Sequence, residues 1–281
     1  LMRHDSNHVA DAKVLPGLLE SARDSDDETA YAKTQDVVRN TLGVDRLETY
    51  YSLIMMDGDR MGAILSGDTA THTAIPYRDS FHPNVQKGFD AQAAQHKALK
   101  AYGQQPRAIS PNRHLAISGA LNDFSQIVVR HVVEQEHLGR VIYAGGDDVL
   151  AMLPTADLLS TMQRLRHAYS GSAPKDDQTD WGMVRDRQGD VRQRLVLNKG
   201  FAWLNGRLMR MMGEHATAST GAIVAHHQAP LGAVLQELRA AEKRAKNEGG
   251  RNAFSITIVK RSGGALYLTE KWGEPVDLLQ D

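Results

Sequence analysis

The sequence predicts an α+β fold, an antiparallel-rich sheet with helices on one face and at the periphery. Three observations predict it. Between residues 50 and 260, short apolar runs and amphipathic patterns follow the order strand, helix, helix, hairpin, helix, strand, helix, strand. Two of the strands are joined by Gly145-Gly146-Asp147-Asp148, and glycine supplies the positive φ that a tight hairpin turn needs. The runs are short and apolar enough to be buried strands, whereas the helical patterns keep a polar side. A ferredoxin-like palm is the arrangement that fits this order.

Residues 1–48 are polar, with an acidic cluster at Asp24, Asp26, Asp27 and Glu28. Weak helical patterning at Leu15, Leu18 and Leu19, and at Val37, Val38 and Leu42, predicts a linker or peripheral helical segment. His4-Asp5 in this stretch reads as solvated surface. The run 50–56 is a buried strand and ends in Asp57-Gly58-Asp59-Arg60-Met61-Gly62. Residues 66–112 form an irregular insertion with a helix around 85–101. Ile117, Leu121, Phe124, Val128 and Val132 share one helical face, between Ser110-Pro111-Asn112 and Gly139. The hairpin strands cover 140–144 and 149–153. Pro154 opens a helix through about residue 169.

A second insertion covers about 170–215. Residues 170–193 are a polar surface loop, and 194–215 fit strand and helix equally. Residues 220–225 are a strand. A helix follows Ala229-Pro230, with Leu231, Val234, Leu235, Leu238, Ala241 and Ala245 on its core side and Gly249-Gly250 at its end. Residues 254–259 are the last expected strand. Residues 49–262 are thus read as one domain and 263–281 as a C-terminal tail.

Composition narrows the function. The 281 residues carry 33 basic and 34 acidic side chains and no cysteine. That excludes disulfides, thiolate zinc sites and a cysteine nucleophile. No apolar run reaches the roughly 18 residues of a membrane span, and the N-terminus has no secretory signal core. The balanced charge gives no global pull toward nucleic acid or membrane. The chain opens at Leu1 rather than Met, which predicts a piece of a longer protein.

The chemistry-bearing residues are Asp57 and Asp59 after one strand, and Asp147 and Asp148 at the hairpin. Crowded carboxylates repel unless cations neutralise them. Mg²⁺ takes oxygen ligands, commonly one or two carboxylates plus substrate phosphates, and two such ions can clamp an attacking hydroxyl and a leaving phosphate oxygen. Gly58, Gly62, Gly145 and Gly146 let the backbone approach a bulky ligand. Amides of Arg60, Met61 and Gly62, opening a helix, can face phosphates. Arg239, Lys243 and Lys246 form a cationic stripe on the last helix, followed by Arg251. His226-His227 would point to opposite strand faces, which argues against a shared ion. Neither a GxxxxGK loop nor a GxSxG elbow occurs.

Four segments in order carry a resemblance: IMMDGDRMG (54–62), YAGGDDVLAMLP (143–154), ATASTGAIVAHHQAPLGAVL (216–235) and AEKRAKNEGGRNAF (241–254). SGALNDFS (118–125) fits the same pattern. Together they resemble the cyclase/polymerase palm of the large subunit of type III CRISPR effector complexes, of the Cmr (III-B) kind, over about residues 50–260. The palm is also similar to GGDEF-type diguanylate cyclases, whose AKxxGRN signature AKNEGGRN echoes with one extra residue. Val149 stands where those cyclases have Phe.

The resemblance implies synthesis of cyclic oligoadenylate from ATP with Mg²⁺ or Mn²⁺ in a two-metal site, switched on by target RNA. It implies Asp57, Asp147 and Asp148 as catalytic metal ligands, with the Gly58 carbonyl. Asp59, Arg60, Met61, Gly62, Gly145, Gly146, Lys243, Lys246 and Arg251 would face the nucleotide. The implied partners are the other subunits of the complex, CRISPR RNA and target RNA, in the cytoplasm and away from membranes. The family's HD nuclease domain, first palm and Cys-ligated zinc module have no counterpart here. The other readings are a diguanylate-type or other nucleotide cyclase, and a non-catalytic palm that binds RNA or nucleotide.

Overall fold

The computed structural model describes residues 28–42, 48–68, 74–172, 183–185, 191–193, 195–261, 263–273, 275–276 and 279. His4-Asp5, Leu15 to Leu19 and most of the acidic cluster lie outside these residues. Helix α1 (Glu28–Leu42) comes first.

The centre of the molecule is a six-stranded sheet. Its strands are β1 (Tyr50–Gly58), β2 (Arg140–Gly145), β3 (Asp148–Leu153), β9 (Ala218–His226), β10 (Ala253–Val259) and β11 (Ala265–Lys271). Their order is β11-β10-β9-β1-β3-β2. β1 is central and antiparallel to both β9 and β3, while β10 runs parallel to β9. The inner order β9-β1-β3-β2, with helices between β1 and β2 and between β3 and β9, is the ferredoxin-like palm expected from the sequence. The hairpin β2–β3 turns on two residues, Gly146 and Asp147, with φ 62° at Gly146 alone. Glycine at the first central position is what a type II′ turn requires.

The helices are α2 (Met61–Ser66), α3 (Pro83–Ala93), α4 (Lys97–Gln104), α5 (Pro111–Asp123), α6 (Leu158–Ser170) and α7 (Leu231–Asn247). Ser110 caps α5, its hydroxyl accepting from Arg113 N at 3.3 Å. Beyond Asp123 the chain stays helical but loosens into π turns at Phe124–Val128 and Val132–Glu136. The wider turns bring Val129 and Val133 into the core beside Val128 and Val132.

Helices cover both faces of the sheet, not one. Adjacent residues of a strand point oppositely. Ile54 and Met56 pack with Phe124, Val128, Leu165 and Tyr169 from the α5 and α6 side. Leu53 packs with Ile223, Val234 and Leu238 under α7. β1 is apolar at successive positions because both its faces are buried, so its pattern does not select one covered face.

Four other expectations change. The single helix expected at 85–101 is two, α3 and α4, and Arg78 anchors α3 by donating to both Asp90 carboxylate oxygens at 2.7 and 2.6 Å. The undecided stretch 194–215 is β-structure: β6 (Val196–Asn198), β7 (Phe201–Leu204) and β8 (Arg207–Arg210) form an antiparallel sheet. Within 170–193 two short strands, β4 (Met183–Arg185) and β5 (Val191–Gln193), pair with each other. The expected tail contains β11, which pairs with β10 from Ala253↔Lys271 to Val259↔Ala265. Among the described residues no helix is long and apolar enough to cross a membrane.

Candidate functional site

The site lies where β1 ends beside the hairpin. Met56 is opposite Val149 on β3, and Asp57 is opposite Ser219 on β9. The hairpin tip therefore sets Asp147 and Asp148 next to Asp57 and Gly58. Asp57 and Asp147 are half-buried and Asp148 is exposed.

The charges here are unequal. Lys246 Nζ donates to Asp57 Oδ2 at 2.5 Å and lies 2.6 Å from Glu242 Oε1. Burial would lower the lysine's pKa, but its bonds to Asp57 and Glu242 outweigh burial and raise it. Burial pushes the Asp147 carboxyl up, and Asp57 adds to this, against lowering by Lys246 and by backbone amides including that of Gly58. Partial desolvation of its carboxyl within the cluster also pushes Asp148 up, followed by Asp57, Asp147 and Glu242. One ammonium thus leaves a surplus of negative charge.

Beneath the carboxylates stands Tyr169 of α6. Its ring is fully buried against Phe124, with centroids 5.3 Å apart, and its hydroxyl donates to Met61 Sδ at 3.3 Å. Burial raises its pKa, as do the charges of Asp147, Asp59 and Asp57. The hydroxyl is therefore a neutral donor at neutral pH.

Asp59, expected to face the nucleotide, is instead a buried structural acceptor at 3% exposure. It accepts from Ser219 Oγ at 2.7 Å, Thr217 Oγ1 at 2.7 Å and Asn252 N at 2.8 Å, with Arg251 Nη1 3.9 Å away. The turn Gly250-Arg251-Asn252 has φ of 65°, 65° and 44°, so Asp59 holds a turn that two non-glycine residues would not adopt unaided. Arg166 Nε donates to Asn252 Oδ1 at 2.9 Å and completes the arrangement.

The other expected residues divide. Arg60 is exposed and left-handed, with φ 59°, at the start of α2. Met61 turns its sulfur to Tyr169. Gly62 is exposed, and a Cβ there would meet nothing within 4 Å. Gly145 packs on Tyr143, whose hydroxyl would lie 2.4 Å from an added Cβ. Lys243 and Arg239 are exposed on α7, so of the expected stripe it is Lys246 that enters the carboxylate cluster. His226 ends β9 and His227 lies beyond it, so strand alternation does not separate them. Their rings are 4.5 Å apart, and His226 Nδ1 accepts from Gln228 N at 3.2 Å.

Sequence reasoning missed Glu242, Tyr169, Asn252 and Arg166. Glu242 and Lys246 had a signal, since an i, i+4 Glu–Lys pair is legible on any helix. The other three meet the site only through the fold. Among the described residues no three carboxylate or imidazole side chains converge on one position that could hold an ion.

Residues 50–182 and 196–255 match the family described as Cas10/Cmr2, second palm domain. Over 224 residues the chain is 29% identical to the CRISPR system Cmr subunit Cmr2 of Pyrococcus furiosus, covering 79% of this chain and 20% of that protein. Over 132 residues it is 32% identical to the CRISPR system CMR subunit Cmr2 of Saccharolobus solfataricus, covering 46% of this chain and 11% of that one. The matched part thus spans about a fifth or less of these relatives. The fold is similar to a chain of the type III-B Cmr-beta complex bound to cognate target RNA, with a TM-score of 0.54 and 19% identity over 87% of this chain and 28% of that one.

Proposed function

Because the chain belongs to the Cas10/Cmr2 second palm domain family, of the Cmr2-type large subunit of type III-B complexes, we propose that it is a metal-dependent nucleotidyltransferase palm that makes cyclic oligoadenylate from ATP. The observation that carries this reading is the meeting of Asp57 with Asp147 and Asp148 from neighbouring strands, beside the Lys246 ammonium.

The residues fit a divalent cation. Asp57, the Gly58 carbonyl, Asp147 and Asp148 offer oxygen donors only, and the surplus negative charge has one resident ammonium to offset it. Mg²⁺ is commonly held by one or two carboxylates with substrate phosphates completing the shell, so convergence of three protein carboxylates is not required. When bound, Mg²⁺ or Mn²⁺ would acidify the attacking hydroxyl and offset charge at phosphorus.

In the proposed reaction the 3′-oxygen of one ATP bonds to the α-phosphorus of another. The α–β bridging bond breaks, pyrophosphate leaves with that electron pair, and the hydroxyl proton passes to solvent. Lys246 is the cation best placed to meet the triphosphate, and the opening amides of α2 at Met61 and Gly62 supply donors. Arg251, already near Asp59, is a secondary contact. Orientation and electrostatics are the chain's own contribution.

The same reading assigns the chain to a cytoplasmic complex with other effector subunits, CRISPR RNA and target RNA. Activity is accordingly expected of the assembled complex. The test is Asp147→Ala with Asp148→Ala in that complex, with products from ATP analysed by mass spectrometry. A loss of about a hundredfold or more is expected. Oligoadenylate at the wild-type level would overturn the mechanism, and turnover of GTP alone would favour a diguanylate-type cyclase.

A further inference from the structure

Lys246 is shared by two carboxylates from two elements. Asp57 comes from the end of β1, and Glu242 sits one turn earlier on α7. The group is shielded, with side-chain exposure of 20% for Lys246, 13% for Glu242 and 33% for Asp57. Nζ donates to Asp57 Oδ2 at 2.5 Å and lies 2.6 Å from the buried Glu242 Oε1. Glu242 is therefore a second anionic anchor of the ammonium, on a different element from Asp57. Its own backbone is fixed. α7 crosses β9 so closely that a Cβ at Gly221 would lie 2.2 Å from Glu242 N.

We propose that Glu242 is a positioning residue that acts through Lys246, retaining the ammonium in the site when a divalent cation takes over Asp57. One lysine then serves in turn as the internal counter-ion of Asp57 and as a ligand of the triphosphate. This rests on the metal-dependent reading above and deepens it. A divalent cation at Asp57 repels a neighbouring ammonium. The flexible lysine stem would let that charge move to water. Moving away would strand Glu242 as an unpaired buried carboxylate, which is costly, so the pair stays together. The ammonium carries three donors, and the one released by Asp57 becomes available to phosphate.

A double-mutant cycle on Mn²⁺ affinity tests this, using the 281-residue chain without nucleotide and paramagnetic resonance of free Mn²⁺. Lys246→Met removes the resident cation and should tighten Mn²⁺ binding several-fold. Glu242→Gln leaves Lys246 resting on Asp57 alone and should weaken binding several-fold. In the Lys246→Met background, Glu242→Gln should change binding by less than about twofold, because its effect passes through the lysine. Equal weakening in both backgrounds would mean that Glu242 acts on the metal directly and would overturn the proposal. Mn²⁺ binding that is absent, or unchanged by Asp147→Ala with Asp148→Ala, would overturn the metal reading itself and this proposal with it. If Glu242→Gln fails to fold, Glu242→Asp keeps the charge, shortens its reach and enters the same cycle with the same deciding outcomes.

Discussion

A Cβ added at Gly58 would lie 2.3 Å from the Tyr169 hydroxyl, 2.8 Å from Asp147 Oδ2 and 2.9 Å from Asp147 Cβ. The φ at Gly58 is ordinary, so the need for glycine here is one of space. Tyr169 is fully buried and cannot retreat. Gly58→Ala should therefore move Asp147 and cost about 1–3 kcal/mol by overpacking. Removing the nearest obstacle, the hydroxyl, by Tyr169→Phe in the same chain should recover part of that loss in denaturant melts. A Gly58→Ala midpoint equal to wild type would refute the close packing. Asp59 shows the complementary lesson. In the sequence it stands beside Asp57 in one acidic motif, and its type alone suggests a ligand contact. The chain leaves β1 after Gly58, and the turn carries the Asp59 carboxylate elsewhere, into bonds with Ser219, Thr217 and Asn252.

Between elements, Glu136 at the end of the α5 continuation is gripped by Arg164 of α6 with bonds of 2.8 and 3.2 Å, while His131 lies 3.5 Å away. Arg164 also donates to Leu195 O at 2.5 Å and so ties both helices to the approach of β6. Burial would raise the Glu136 pKa, but His131 and Arg164 outweigh it and hold it at about 2, against an ordinary 4.5. The bidentate arginine is the stronger hold by distance. A depressed folded pKa means that the stabilisation is complete above the unfolded value of 4.5 and is lost as pH falls toward 2. The amount is on the order of 3 kcal/mol. Urea melts from pH 6 to pH 2 should show this decline, and Glu136→Gln should flatten it. An unchanged slope in the variant would exclude the clamp as its cause. At this scale much of the fold was legible. The apolar face of α7, apart from the exposed Leu231, and the Gly-Gly hairpin both predict what forms. The loosening of α5 into π turns was not, because Val128-Val129 and Val132-Val133 fit a regular helix whose second valine is merely less buried.

For the whole molecule, the largest difference from the sequence reading is at the C-terminus. The sequence reading ends the domain at 262, just beyond the last expected strand at 254–259. β11 nevertheless completes the sheet, since its inner face has only to cover an edge and can remain partly polar. The carboxylates needed no such context. Asp57 and Asp147-Asp148 follow apolar strands directly, so their motifs carried their positions, whereas Tyr169 and Arg166 reach the site only after α6 has packed. β11 is linked to that site as well. Lys271 Nζ donates to Gly250 O at 3.0 Å and Arg251 O at 2.7 Å, supporting the turn that Asp59 holds, and Trp272 Nε1 donates to Ala218 O at 2.9 Å. A chain ending at 262 would lose the β10–β11 ladder, expose β10 as an unpaired edge bearing Ile256 and Ile258, and free the turn. The melting temperature should fall by about 10 °C or more, with aggregation on heating. A chain ending at 276 should keep the wild-type midpoint, because it retains β11, Trp272 and the buried Val276. Equal midpoints for the two truncations would show that the sheet is complete at β10 and that residues 263–281 are a tail after all.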